Sequence, residues 1–290
     1  MTRSYAVVTP ARDEANNLPK LAASLAAQTM PPVAWHIVDN GSTDRTAAVA
    51  ESLATEYGWI RVLTMPGTSA ADRGGPVVRA LQAGIAALAD APEIVVNVDA
   101  DITFEPDYFE RLLLKFDEDP ALGIASGSAY ELRGGRWEQR FVTGNTVWGA
   151  SRAYRWECLQ ELLPLEERVA WDGVDEFKAN ARGWHTAAFE ELPFRHHRRE
   201  GERDGSAWRA RSNQGNAAYY LGYRSWYLVL RALWNARREP AALGMIWGYA
   251  AAAIRREPRN ADPAARAYLR WQQSPRNLKQ RALEAAGRRG

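Results

Sequence analysis

Only one cysteine, Cys158, stands among the 290 residues. No internal disulfide framework can hold such a chain, and a reducing compartment suits it. Lysine is nearly absent, occurring at positions 20, 115, 178 and 279 alone, so arginine carries most of the positive charge. Neither sign of charge dominates. The net charge is +2, and that total gives no argument for nucleic acid as a partner. No apolar run reaches the roughly 18 residues that a spanning helix needs. Met1-Thr2-Arg3-Ser4 leads straight into a strand-like segment, without the apolar region of a signal peptide. The expected location is cytoplasmic, or at the inner face of a membrane.

What is present is an ordinary globular composition, 46% hydrophobic and 25% charged, with one unusual stretch. Glu93-Ile94-Val95-Val96-Asn97-Val98-Asp99-Ala100-Asp101 is a Val-rich run that ends in two carboxylates one residue apart. A run apolar on both faces predicts a buried parallel strand. Its C-terminal end is where open α/β sheets place ligands. Two neighbouring carboxylates raise each other's pKa, and a hard divalent cation such as Mg²⁺ or Mn²⁺ relieves that cost.

The preceding chain repeats strand, loop and helix. Tyr5 to Val8 reads as a strand, followed by Thr9-Pro10-Ala11-Arg12-Asp13-Glu14 and a helix bearing Leu18, Leu21 and Leu25. Trp35 to Val38 is a second strand, ending in Asp39-Asn40-Gly41-Ser42-Thr43-Asp44; Ile60 to Leu63 is a third. A glycine-rich segment from Gly67 to Pro76 carries Arg73, and a helix with Val78, Leu81 and Ile85 then leads to the acidic strand. Such repetition predicts a parallel, doubly wound sheet. Right-handed crossovers put the three acidic loops on one edge.

Beyond Asp101 the expected elements are a helix after Pro106, strands over 123–127 and 146–154 around a Gly134-Gly135 turn, and a helix near Cys158. Trp171-Asp172-Gly173-Val174-Asp175-Glu176 leads into a helix that Gly183 stops, and half of the four histidines lie in His196-His197. The remainder is helical, rich in Trp and Arg. The domain reading is 1–205 for the α/β part and 206–290 for a helical region packed on it.

Thr9-Pro10 with Asp13-Glu14, Val38 to Asp44, and Val98-Asp99-Ala100-Asp101 together resemble the three signatures of GT-A glycosyltransferases of family 2. The resemblance covers roughly residues 5 to 200. It implies a GT-A, Rossmann-like, mostly parallel sheet flanked by helices. It also implies inverting transfer of a sugar from a nucleotide diphosphate, UDP or GDP, to an acceptor hydroxyl of a saccharide or lipid-linked glycan. By that resemblance Thr9, Pro10, Arg12, Glu14, Asp39 and Asn40 border the nucleoside, and Asp39 bonds the base. Asp99 contacts the ribose, Ala100 lies between the two carboxylates, and Asp101 binds the metal. Arg73 is positioned to reach the phosphates, and His196 or His197 completes the metal shell. The base carboxylate is expected at Asp172, with Asp175 and Glu176 as alternatives. Arg195, Arg198 and Arg199 are candidates for phosphate.

Ala267-Tyr268-Leu269-Arg270-Trp271 lacks the Gln of the Gln-x-x-Arg-Trp motif of processive synthases, so the expectation is a single addition. The Trp/Arg-rich C-terminus reads either as helix packing or as a peripheral membrane contact. Two rival readings are a sugar nucleotidyltransferase and a non-catalytic sugar-nucleotide-binding protein. The first usually has a glycine-rich loop after the first strand, which Thr9 to Asp13 lacks; the second would lack a base carboxylate.

Overall fold

The computed structural model describes residues 4–67, 74–140, 147–198, 206–237 and 239–277. It contains two compact units. The first runs to Arg198, except that Asn180–Arg182 belong to the second.

The first unit begins with β1 (Tyr5–Ala11), α1 (Leu18–Ala26), β2 (Ala34–Asn40), α2 (Thr46–Glu56), β3 (Ile60–Met65), α3 (Gly75–Ala86) and β4 (Ile94–Val98). These strands lie in the order β3-β2-β1-β4, all parallel. Alternation along them feeds two separate cores. Val7, Trp35, Ile37 and Val96 face Leu21, Leu25 and Phe109 on one side. Val8, Val38 and Val95 face Val78, Leu81 and Leu159 on the other. Each fully buried side chain of this size contributes about 1.5–3 kcal/mol of transfer free energy.

Then follow β5 (Ile102–Phe104), α4 (Tyr108–Glu118), β6 (Leu122–Arg133), β7 (Arg136–Gln139), β8 (Ser151–Arg155), α5 (Trp156–Leu162), α6 (Trp171–Ala181) and β9 (His185–His196). All nine strands form one sheet, flanked by helices. Its second half departs from the parallel expectation, because β8 joins β4 antiparallel and β6, β7 and β5 add further antiparallel pairs. The Gly134-Gly135 turn, both glycines at positive φ, joins β6 and β7 directly, as antiparallel neighbours permit, whereas parallel ones need a crossover. The other antiparallel pairs join strands that are not consecutive in the chain. Only β6 and β9 pair in parallel there. The strand expected over 146–154 spans Ser151–Arg155, and residue 146 lies outside the described residues.

The second unit holds α7 (Ala207–Leu221), α8 (Ser225–Ala236), α9 (Gly244–Ile254) and α10 (Pro263–Gln272). Helices α7 and α9 cross at backbone contact. A Cβ on Gly215 would overlap the carbonyl oxygen of Met245, and one on Gly248 that of Ser212. Among the described residues no helix is long and apolar enough to cross a membrane.

Candidate active site

The sheet edge formed by the C-terminal ends of β1, β2 and β4 gathers the acidic loops. Asp39 pairs in register with Ala11, and Asn97 with Val8, so the residues that follow these strands emerge together. Asp13 adopts φ 57°. Its carboxylate accepts the Thr43 N–H at 2.7 Å, the Asp44 N–H at 3.3 Å and the Thr43 hydroxyl at 3.1 Å. The Thr43 N–H bond is the main reason its pKa lies below the usual range. Asp13 therefore ties the first loop to the second.

Asp39 is buried, and its Oδ1 accepts both the backbone N–H and the hydroxyl of Ser42. No bond from a described residue reaches its Oδ2. Asn40 is buried beside it, and Pro10 and Arg12 are half-buried on the neighbouring strand end. Thr9 is placed differently from the expectation. It is fully buried, and its hydroxyl accepts the Trp35 indole N–H at 2.9 Å; strand alternation turns it into the core. Arg73 and Arg199 lie outside the described residues.

Asp99, Asp101 and His196 bring one ligand atom each to within 4.8 Å of one another. Ala100 is buried between the two carboxylates in sequence. Asp101 is reached by His196 Nε2 at 3.3 Å and by Arg198 Nη1 at 3.5 Å. Burial opposes its ionisation, yet His196 and Arg198 outweigh burial and hold the carboxyl below its usual range. Burial pushes the pKa of His196 down, but Asp101, with Asp99 and Glu131, together raise it above the usual value. Its Nδ1 is buried without a hydrogen-bond partner. Two carboxylates and an imidazole whose ligand atoms lie within 4.8 Å of one another fit a divalent ion of the Mn²⁺ or Mg²⁺ type.

The adjacent His197 lies outside this group. Its Nε2 is 2.9 Å from the Thr103 hydroxyl and its ring stands edge-on to Trp137; burial lowers its pKa, assisted by Lys20. Alternation separates the two histidines, because β9 ends at His196, opposite Ile102. Arg198 also holds Glu14 through both nitrogens, at 2.8 and 2.9 Å. Arg195 is engaged by Glu105 at 2.7 Å and lies over Trp137.

A second acidic group follows from β8 and α6. Arg152 is fully buried and donates to Asp175 from Nε at 3.2 Å and from Nη2 at 2.6 Å. The Tyr154 hydroxyl also donates to Asp175. Further Arg152 bonds reach the carbonyls of Val147 and Asp172 at 2.9 and 2.6 Å. Burial raises Asp175 to about 6 and Glu176 to about 7, against the opposing pull of Arg152. A single guanidinium facing two carboxyls is balanced when Glu176 carries the proton and Asp175 the charge.

Asp172 is only half-buried. It was expected just ahead of the helix, but α6 starts at Trp171, so Asp172 sits in its first turn; Ala170 at φ 64° makes the sharp entry. A Cβ on Gly149 would stand 3.1 Å from Asp172 Oδ2, so that glycine leaves the carboxylate its space. The next residue, Ala150, accepts the Asp99 N–H at 2.9 Å. Asp172 thus borders the segment against which the acidic strand end is fixed. Sequence reasoning missed Arg152; an arginine and a tyrosine two apart, on one face of the strand Ser151–Arg155, were the available signal.

Residues 6–165, just over half of the chain, match Glycosyl transferase family 2. Polyprenol monophosphomannose synthase of Mycolicibacterium smegmatis is 30% identical over 179 residues, covering 56% of this chain and 65% of that protein. The alignment therefore spans slightly less than two thirds of that relative. Mannosyltransferase PcManGT from Pyrobaculum calidifontis, solved with GDP-Man and Mn²⁺, superposes with a TM-score of 0.59 at 16% identity, over 98% of this chain and 85% of that one. Glucosyl-3-phosphoglycerate synthase from Mycobacterium tuberculosis, solved with Mn²⁺, UDP and glucosyl-3-phosphoglycerate, gives 0.53 at 18% identity, over 74% and 79%. These two likenesses are of fold, the GT-A arrangement of a central sheet flanked by helices. With the family match covering all three acidic loops, the chain belongs to glycosyl transferase family 2.

Proposed function

We propose that this protein is an inverting, metal-dependent glycosyltransferase that moves one sugar from a nucleotide diphosphate, UDP or GDP, to an acceptor hydroxyl. The observation that carries the reading is the meeting of Asp99, Asp101 and His196 at the end of β4, on the same sheet edge as Asp39, which ends β2 on the far side of β1. Residues 1–205 form the donor-binding and catalytic domain in this reading, and 206–290 a helical region. Asp39 holds the base through its remaining oxygen, Pro10, Arg12 and Asn40 border the nucleoside, and Asp99 faces the ribose.

Asp101, Asp99 and His196 would hold Mn²⁺ or Mg²⁺, which supplies positive charge where the leaving diphosphate develops negative charge. An imidazole ligand favours Mn²⁺. Asp172 takes the proton of the acceptor hydroxyl. Asp175 is a positioning group, because its oxygens are committed to Arg152 and Tyr154. Glu14 positions Arg198. The acceptor is a saccharide or a lipid-linked glycan, and the synthase relative, whose name gives a polyprenol product, favours the lipid-linked class. The location that follows is cytoplasmic, at the inner membrane face.

Titration calorimetry with UDP and GDP sugars tests this, with and without Mn²⁺. One donor should bind in the presence of the ion, and Asp39→Ala should weaken it by about 1.5–3 kcal/mol, the worth of one hydrogen bond to a charged group. Donor affinity that ignores both the ion and Asp39 would overturn the reading.

A further inference from the structure

The chain's near-neutral total conceals a division. Residues 206–290 carry sixteen Lys and Arg against four Asp and Glu, a net charge of +12. Residues 1–205 carry 21 against 31, a net of −10. Within the second unit, a cavity of about 330 Å³ is lined by Tyr223, Arg224, Ser225, Trp226, Tyr249, Arg259 and Arg270. It holds three guanidiniums and no carboxylate. Among the described residues, none of the three arginines is paired with an acid: Arg224 donates to the Arg270 carbonyl and Arg259 lies over Tyr219.

Trp226 lines this cavity and also begins an apolar stripe along α8. Trp226, Val229, Leu230, Leu233 and Trp234 recur at helical spacing, whereas the packed face of the same helix is Leu228 and Ala232. The stripe is uncovered, with Leu230, Leu233 and Trp234 exposed by 52%, 51% and 48%. Arg237 stacks over Trp234, 4.5 Å from its ring centre. An exposed helix face of this kind costs free energy in water and calls for an apolar occupant. Its arginine-rich border selects an anionic one.

We propose that the Arg224/Arg259/Arg270 cavity binds the phosphate of an anionic phospholipid, with α8 laid in the interface so that its Trp/Leu stripe meets the acyl chains. Three guanidiniums supply charge-assisted bonds to phosphate oxygens. Tryptophan and arginine together suit the level between headgroup and hydrocarbon. Continuity of the basic cavity with the apolar stripe favours a lipid phosphate over a free one, since a free anion gives the stripe nothing to cover it.

Co-sedimentation of the full chain with phosphatidylcholine vesicles, with and without phosphatidylglycerol, tests the site. Neither donor nor acceptor is needed, so the result is independent of the glycosyl-transfer reading. The wild type should bind the anionic vesicles only, and more weakly as salt rises. The triple variant Arg224→Gln/Arg259→Gln/Arg270→Gln should lose about a hundredfold in partitioning, and Leu230→Ser/Trp234→Ser about tenfold or more. Circular dichroism and nucleotide binding should be unchanged in both. If the triple variant does not fold, Arg270→Gln alone should give a graded loss, and no loss there overturns the site. Equal binding to both vesicle types also overturns it. So does full binding by the stripe variant combined with displacement by inorganic phosphate, the outcome of a free-phosphate pocket.

Discussion

The first unit holds two clusters of carboxylates built from the same residue types, and they are solved by opposite means. Around Asp99 and Asp101 the charges stand at a loop edge, with His196 Nε2 at 3.3 Å and the partly exposed Arg198 at 3.5 Å from Asp101. Around Asp175 and Glu176 they are sealed against an arginine with no solvent exposure. A carboxylate cluster at a sheet edge can take up a further cation; one sealed around its own arginine serves as scaffold. Acidic residues near a cleft are thus not all candidates for chemistry, and what sits opposite each one separates them.

The largest effect is expected in the open cluster. Asp101→Ala should lower transfer by at least about 10³-fold while circular dichroism and the unfolding midpoint stay near wild type. Full activity of this variant with divalent ions chelated would break the comparison. Next comes the border between the clusters. Asp172→Asn keeps shape and removes basicity, so donor binding should survive while turnover falls about 10²–10⁴-fold. Wild-type turnover there, with collapse of turnover and no loss of stability in Asp175→Asn, would transfer the base role to the sealed cluster.

In the sealed cluster the reading is stability. Arg152→Met leaves Asp175 buried without its counterion and should cost about 3–5 kcal/mol in denaturant unfolding. A loss below about 1 kcal/mol would mean that the charge is not sealed. The smallest effect is a pH dependence. Glu176, raised to about 7, binds a proton more readily folded than unfolded. Its contribution to stability is therefore present near pH 4 and lost as pH rises towards 7. With 15% of the side chain still exposed, the swing should be about 1–2 kcal/mol. Glu176→Gln should remove it, matching wild type at pH 5 and exceeding it at pH 8.

Much of the open site was legible in the sequence because it is local. Val-rich runs that end in Asp39 and in Asp99 to Asp101 declare both a strand and its exit, and parallel topology does the rest. The sealed cluster was not legible. Arg152 and Asp175 are 23 residues apart, and only the packing of α6 on β8 reveals that they meet. Thr9 was placed at the nucleoside by its part in the first signature, whereas its place in the alternation of β1 turns it towards Trp35. His196 and His197 were indistinguishable as a dipeptide; the end of β9 separates them. Apart from the β6–β7 turn, the antiparallel half of the sheet pairs strands that are not consecutive in the chain, and no periodicity specifies those partners. The +12 and −10 halves were fully legible, but only to a count taken region by region.

The bond between Arg198 and Glu14 joins positions 184 apart. During synthesis, β1 to β4 can assemble long before residue 198 leaves the ribosome, yet the Glu14 loop then lacks the Arg198 guanidinium. The family match ends at residue 165, short of both His196 and Arg198. A fragment cut at that boundary would keep the strands and the signature loops. It would also leave Glu14 without Arg198, and Asp101 without His196 and Arg198, at positions exposed by only 6% and 7%. The smallest autonomous piece of this enzyme is therefore longer than its recognisable motif, and the last strand closes the site that the first one opens.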